Sequence, residues 1–324
     1  MQIRRIYIEE DIASHPRVEG ILRKFPSAVR IYIRRYGEVF NPTAQNFRLQ
    51  KRNPSLILAK KHKNFVLPSP PGYGIGGKRN FYFSHMLNCP YDCRYCFLQG
   101  MYSSAHYVIF VNYEDFQNSI ARISHSDSYF FSGYDCDSLA FESVSGFLDS
   151  FLPFFRDIPQ KYLELRTKSV AIRPLLSTSP IENCVVAFSL SPENIVRSLE
   201  HRTPSLKRRL EAARVLWERG WKIGLRFDPL IFHRNFEQNY QGLFEEVKRA
   251  LPSVHSISFG PLRFPKGMYD RIFRLYPEEP FLVGPFTYTS KVVSYSDELV
   301  DRLLGFCRRK LQDFYPEEIF FTCF

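Results

Sequence analysis

No run of about 18 apolar residues occurs in this sequence, so no segment is expected to cross a membrane as a helix. Residues Met1 to Glu10 alternate charged and apolar side chains and contain no secretory h-region. Cysteine is sparse, seven in 324 residues, odd in number, with three crowded between positions 89 and 96. That usage fits a reducing cytoplasm better than a secreted disulfide scaffold. Internal repeats, heptads and low-complexity tracts are missing as well. Acidic residues are outnumbered: 44 Lys and Arg against 33 Asp and Glu leave a net charge of +11 and a pI near 9.3. A balance this basic favours a polyanionic partner, nucleic acid ahead of a membrane surface. What is plentiful is apolar and aromatic surface, 44% hydrophobic with 31 Phe and 19 Tyr, enough for a large core and equally able to stack on bases.

The chain divides at a Pro/Gly stretch, Pro68-Ser-Pro-Pro-Gly-Tyr-Gly-Ile-Gly-Gly77, which can be neither helix nor central strand. No Gly-Lys-Ser/Thr follows it, so it reads as a linker rather than a phosphate loop. Residues 1–80 are expected to form a small basic α/β region, with Arg30, Arg34, Arg35, Arg48, Lys51, Arg52, Lys60, Lys61 and Lys63 packed into 34 positions. From 81 to 324, short apolar β-rich runs alternate with amphipathic ones. Candidate strands are Phe81–Ser84, Ser128–Ser132, Tyr162–Arg166, Val185–Leu190, Lys222–Asp228 and Ser256–Phe259. Candidate helices include Ser143–Phe155, Ser205–Arg219 and Phe236–Leu251, the second opened by Thr203-Pro-Ser-Leu. Strictly alternating strands and helices predict an α/β fold with a parallel sheet wound in one direction, an open or partial barrel. Its active groups belong at the carboxyl ends of the strands.

The first strand runs out into Ser84-His-Met-Leu-Asn-Cys89-Pro-Tyr-Asp-Cys93-Arg-Tyr-Cys96-Phe-Leu-Gln99. Three thiols spaced CX3CX2C on one loop can converge on one centre, and thiolates are the ligands of iron–sulfur clusters. A structural zinc site needs a fourth ligand, usually a second cysteine pair, and none follows. His85 is the one nearby candidate to complete a zinc site. A four-iron cluster held by only three cysteines leaves one iron open to a small ligand. Tyr91, Tyr95 and Phe97 crowd the same loop and would keep water away.

CX3C followed by X-aromatic-Cys resembles the signature of the radical S-adenosylmethionine superfamily. The resemblance implies a partial (β/α)6 barrel, a [4Fe–4S] cluster on Cys89, Cys93 and Cys96, and S-adenosylmethionine chelated to the open iron. It also implies a 5′-deoxyadenosyl radical as the reactive species and Tyr95 lying against the cofactor. Within that superfamily, Cys93-Arg-Tyr-Cys-Phe-Leu-Gln99 is similar to the cysteine motif of the spore photoproduct lyases. So are Pro54-Ser-Leu-Ile-Leu-Ala59, Arg166-Thr-Lys168, Ser189-Leu-Ser-Pro192, Glu200-His-Arg-Thr-Pro-Ser205 and Gly260-Pro-Leu-Arg-Phe-Pro265. These pieces cover most of residues 50–324. Members of that family reverse a methylene-bridged thymine dimer in DNA, which agrees with the basic N-terminal region.

Carried over residue by residue, the resemblance implies that Lys168 pairs with the cofactor carboxylate and that Ser189 contacts the cofactor. It places Ser132, Gly133 and Asp135 about the methionine amine. It further implies an electron donor such as flavodoxin or ferredoxin. Two departures bear on the last step of the reaction. The family's hydrogen-donating cysteine stands three residues before an Asp-Pro-Leu-Gly-Ile-Glu type segment, here Asp137-Ser-Leu-Ala-Phe-Glu142, so Tyr134 occupies the donor position. The nearby thiol, Cys136, stands directly before that segment, where the family has a cofactor-contacting serine. Phe97 replaces a relay tyrosine. The expectation is therefore a radical enzyme acting on a DNA lesion, with Cys136 or Tyr134 returning the hydrogen. Open alternatives are an RNA or peptide substrate for the same chemistry, and a zinc-bound, non-catalytic nucleic-acid-binding protein. Cys184, Cys307 and Cys323 read as small buried hydrophobes.

Overall fold

A computed structural model describes residues 3–40, 42–43 and 45–323. The expected strands form one sheet, in chain order: β1 (Arg79–Tyr82), β2 (Ser128–Phe131), β3 (Lys161–Thr167), β4 (Cys184–Ser189), β5 (Lys222–Leu230) and β6 (Ser256–Pro261). Each pairs in parallel with the next. A seventh parallel strand, β7 (Phe320–Thr322), follows β6, and Leu67–Pro68 closes the other edge antiparallel to β1. The sheet curls into an open, partial (β/α) barrel.

Side-chain alternation along the strands explains the two faces. Phe130, Leu163, Val186, Phe188, Leu225 and Phe227 belong to the large core beneath the covering helices. Their neighbours Tyr129, Phe131 and Val185 gather with Ile75 in a separate small cluster on the concave side. That side also carries charge. Glu164 and Arg226, both fully buried, pair at 2.8 Å, and Arg166 reaches the same carboxylate at 3.2 Å. The helices sit close to where the periodicity puts them: Phe147–Arg156, with the start of the expected Ser143–Phe155 split off as Glu142–Ser145 by the left-handed Gly146 (φ 58°), then Leu206–Glu218 and Phe236–Ala250. Ser205 caps the helix Leu206–Glu218 by accepting from the Arg208 amide at 3.4 Å.

The N-terminal region builds a five-stranded sheet in the order Val29–Ile33, Arg5–Glu9, Leu56–Ala59, Tyr107–Phe110, Met86–Leu87. Two of those strands come from beyond residue 80. The expected boundary is therefore crossed by the sheet, and Ile6, Ile8, Leu56 and Leu58 share a core with Met86, Tyr107, Ile109 and Cys136. A Pro/Gly stretch marks a break in regular structure, and here the break lies inside one packed body. No helix among the described residues is long and apolar enough to cross a membrane.

Candidate functional site: a thiol-lined cavity at the barrel mouth

A cavity of about 520 Å³ opens at the carboxyl ends of the barrel strands, inside the usual range of roughly 300–1,000 Å³ for small-molecule sites. The cysteine loop forms one wall, and its shape is set by residues on three other elements. Asn88 takes a left-handed turn (φ 66°) and donates its amide to the carbonyls of Ser104 and His106 at 2.8 and 2.7 Å. Asp92–Cys93 pairs antiparallel with Glu200–His201, and the Arg94 amide donates to the Leu199 carbonyl at 2.8 Å. Gln99 donates to Asp92 at 2.8 Å and accepts from the Tyr276 hydroxyl at 3.1 Å. Lys51 is buried and donates to the carbonyls of Cys89 and Tyr91 at 3.0 and 2.9 Å.

Cys89, Cys93 and Cys96 all line the cavity. Burial pushes their thiols up, Cys89 to about 12 and Cys93 well above the ordinary thiol range, so metal binding must expel protons from them. Among the described residues no three His, Cys, Asp or Glu side chains close around a single point as ligands of one ion do. Three thiolates that each bind a different iron of a cluster stand further apart, and the cavity leaves room beside them, so the donor set fits a [4Fe–4S] cluster. His85 does not join them. Its ring stacks on Phe147 with centroids 4.0 Å apart, and burial drops it to about 3.

Tyr95, between the second and third cysteines, donates its hydroxyl to Glu200. Glu200 is a hub: Ser191 donates to it at 2.9 Å, and the buried Arg209 guanidinium forms an ion pair with it. Burial alone would raise the Glu200 carboxyl, but Arg209 and Lys168 together hold it below its ordinary value. The Lys168 ammonium lies 5.6 Å from the centre of the Tyr95 ring. Desolvation opposes its charge, and Glu200 with the nearby thiols raises it overall.

The opposite wall comes from the strand ends. Gly133, Tyr134 and Cys136 follow β2, Lys168 follows β3, and Ser189 ends β4, all lining the cavity. A Cβ at Gly133 would stand 2.8 Å from both the Arg166 carbonyl and the Ser138 hydroxyl, so only glycine lets these strand ends approach so closely. The Tyr134 ring packs at a tilt against Tyr82 and Phe97, with centroids 4.4 and 5.7 Å apart. Cys136 is 6% exposed, and burial keeps it a protonated thiol.

Ser132 and Asp135, expected at the cofactor amine, turn elsewhere. Ser132 bonds to the Ser138 hydroxyl at 2.8 Å and to the Glu164 carbonyl at 3.0 Å, tying β2 to β3. Asp135 accepts from Ser84, and burial raises its carboxyl. Neither lines the cavity.

Several contributors were not singled out from the sequence. Asp137 accepts from the Lys168 amide and the Thr167 hydroxyl, both at 2.6 Å, and so locks two strand ends together. Arg166, paired with Asp228 at 3.1 Å, stacks 4.9 Å from the Tyr73 ring and faces the cavity. Asp228, at the end of the expected strand Lys222–Asp228, is likewise a wall residue. Cys323 is buried as expected, yet it also borders the cavity. Lys51, one of the basic residues of the N-terminal region, is spent on the loop. Its only sequence signal is the four-residue spacing from Phe47, which puts both on the buried side of the helix Phe47–Arg52.

A family model described as spore photoproduct lyase matches residues 82–281. The chain is 23% identical over 318 residues to a spore photoproduct lyase of Clostridium acetobutylicum, covering 91% of each sequence. It is 24% identical to that of Bacillus subtilis over 84% of this chain and 82% of the relative. Among solved structures, a Cys→Ser variant of a spore photoproduct lyase superposes with a TM-score of 0.85 at 20% identity, covering 98% of both chains. A double variant with bound AdoMet and dinucleoside spore photoproduct superposes with a TM-score of 0.84, also at 20% identity, over 99% of this chain and 98% of that one.

Proposed function

The chain belongs to the spore photoproduct lyase family of the radical S-adenosylmethionine superfamily, and from that membership we propose that it repairs a methylene-bridged thymine dimer in DNA. The observation that carries the reading is one cavity walled by three cysteines on one side and by the barrel's polar strand ends on the other. When bound, the cluster and S-adenosylmethionine supply a carbon radical able to take hydrogen from an unactivated substrate position.

The chain's own residues do the rest. Cys89, Cys93 and Cys96 hold the cluster. Lys168, steadied by Glu200 and the Tyr95 ring, offers its ammonium to the cofactor carboxylate, and Ser189 offers its hydroxyl beside it. Tyr95 and the Gly133 main chain flank the cofactor. Tyr91 and Phe97, both on the cavity wall, exclude water. Arg166, fixed by Glu164 and Asp228, points donors at the substrate side, where a base carbonyl can accept them. Substrate must leave the base stack to enter so enclosed a site.

Hydrogen return falls to Cys136 or Tyr134, which both face the cavity. Cys136 is the better donor, because an S–H bond yields its hydrogen atom more readily than a phenol O–H. Phosphate contacts come from the exposed part of the N-terminal region, Arg30, Arg34, Arg52 and Lys63. An electron donor such as flavodoxin or ferredoxin would supply the reducing electron, in the cytoplasm. The test is incubation of the reconstituted, reduced protein with DNA irradiated dry. The expected result is loss of the methylene-bridged dimer and recovery of thymine in the digested product. Cofactor cleavage that irradiated DNA never stimulates would redirect the search to RNA or peptide substrates.

A further inference from the structure

Two lysines, Lys51 and Lys168, line the cavity together with the three loop cysteines, and only one has an evident carboxylate partner among the described residues. Lys168 stands against Glu200, which also holds Arg209. Lys51 is different. It is 7% exposed, lines the cavity beside Cys89, and makes no ion pair among the described residues. Asp92, close enough to feel its charge, spends its carboxylate on Arg94 at 2.9 Å and on Gln99 at 2.8 Å. The two recorded bonds of the Lys51 ammonium go to main-chain carbonyls on either side of Pro90, those of Cys89 and Tyr91. The lysine's own carbonyl is gripped by Arg202 at 3.1 Å, next to the Glu200–His201 strand that pairs with Asp92–Cys93.

A buried cation with no counter-ion is costly to keep, and carbonyl dipoles offset that cost only in part. It becomes favourable when a net negative group occupies the space it faces. A four-iron cluster on three thiolates is anionic and becomes more so on reduction. We propose that Lys51 is a positioning residue for the cluster, fixing the main chain of the first cysteine and supplying the fixed positive charge that favours the reduced cluster. This inference rests on the cluster assignment above. The N-terminal region thereby acquires a role in the electron-transfer step, in addition to its basic surface.

The test is an anaerobic redox titration of the reconstituted cluster, followed by electron paramagnetic resonance, in wild type, Lys51→Met and Lys51→Arg. Lys207→Met, on the exposed surface, serves as control. One elementary charge acting through a protein medium corresponds to a change of the order of tenfold in the equilibrium between oxidised and reduced cluster. Lys51→Met should therefore show about tenfold less reduced cluster at a fixed ambient potential, a shift of about 59 mV for one electron. Lys51→Arg and Lys207→Met should titrate like wild type. A Lys51→Met protein with full iron and an unmoved potential overturns the proposal. Should the Met variant fail to take up iron, the arginine variant decides: a wild-type potential supports the charge and donor roles, and a lowered one overturns them. A wild-type protein that holds no four-iron cluster would instead refute the cluster assignment itself.

Discussion

Replacing Glu200 by Gln removes one charge from a site where no water can compensate. Glu200 and Arg209 are both fully buried, and the carboxylate also accepts from Tyr95 and Ser191. A glutamine fills the same volume and keeps one acceptor, but it strands the Arg209 guanidinium and leaves Lys168 without its main counter-charge. Breaking one side of a buried pair costs about 3–5 kcal/mol. For a chain of this size each kcal/mol lowers the melting temperature by about 2 °C, so the metal-free variant should melt some ~6–10 °C below wild type. The companion Arg209→Met removes the other charge. If the two groups compensate each other, the double variant should lose clearly less than the sum of the singles, with a coupling of about 1–3 kcal/mol. Thermal unfolding followed by far-ultraviolet circular dichroism measures all four proteins. A Glu200→Gln protein within 1 °C of wild type, or strictly additive losses, would refute the hub. A second readout separates stability from function: Tyr95 and Lys168 lose their common anchor, so S-adenosylmethionine affinity should fall at temperatures where the variant is still folded.

Three further expectations follow from particular residues. Cys136→Ala should still cleave cofactor but release trapped or misreduced DNA products, whereas Tyr134→Phe should be mild; product analysis giving the reverse pattern would move hydrogen return to Tyr134. Affinity for DNA should fall steeply with salt, and reversing Arg30, Arg34 and Lys63 to Glu should weaken binding to all sequences alike and flatten the salt slope, whereas salt-independent binding would contradict a phosphate-tracking surface. Burial raises the Glu142 carboxyl to about 8, well above its unfolded value near 4.5. Its folded form therefore stays protonated while the unfolded chain ionises, and stability drains away as pH rises between those values, by a few kcal/mol at most. Glu142→Gln should flatten the fall in melting temperature between pH 5.5 and pH 8.5, and an unchanged slope would show that the carboxyl is ionised in the fold.

Much of the barrel was legible because its strands are buried on both faces. Cys-Val-Val-Ala-Phe-Ser of β4 is entirely buried and reads as an unbroken apolar run. Ser205 announces its helix by chemistry local to four residues. The cysteine loop was legible for the same reason: its three ligand candidates lie within eight positions. What the sequence hid depends on contacts between distant segments. β7 has only three residues and gains its place by pairing with Ile257–Phe259. The N-terminal sheet depends on Leu56–Ala59 finding Tyr107–Phe110 across the expected boundary. Lys51 looks like one more surface cation until its side chain is seen beneath Cys89. The Tyr95–Glu200 bond spans 105 positions. Ser132 and Asp135 show the same dependence on distant partners: they lie next to the cavity in sequence, but the turn after β2 brings Gly133, Tyr134 and Cys136 to its wall, while these two bond to Ser138 and Ser84.

The most direct test of the whole account is anaerobic reconstitution of wild type with iron and sulfide, read by Mössbauer spectroscopy, metal analysis and 5′-deoxyadenosine formation from S-adenosylmethionine. Wild type should hold about four irons with matching sulfide and cleave the cofactor under reduction. Cys89→Ala, Cys93→Ala and Cys96→Ala should each lose the cluster and all cleavage, whereas Cys184→Ala and Cys307→Ala, buried away from the cavity, should keep both. A wild-type protein that takes up a single zinc, or any one of the three loop variants that retains a full cluster with normal cleavage, would contradict it.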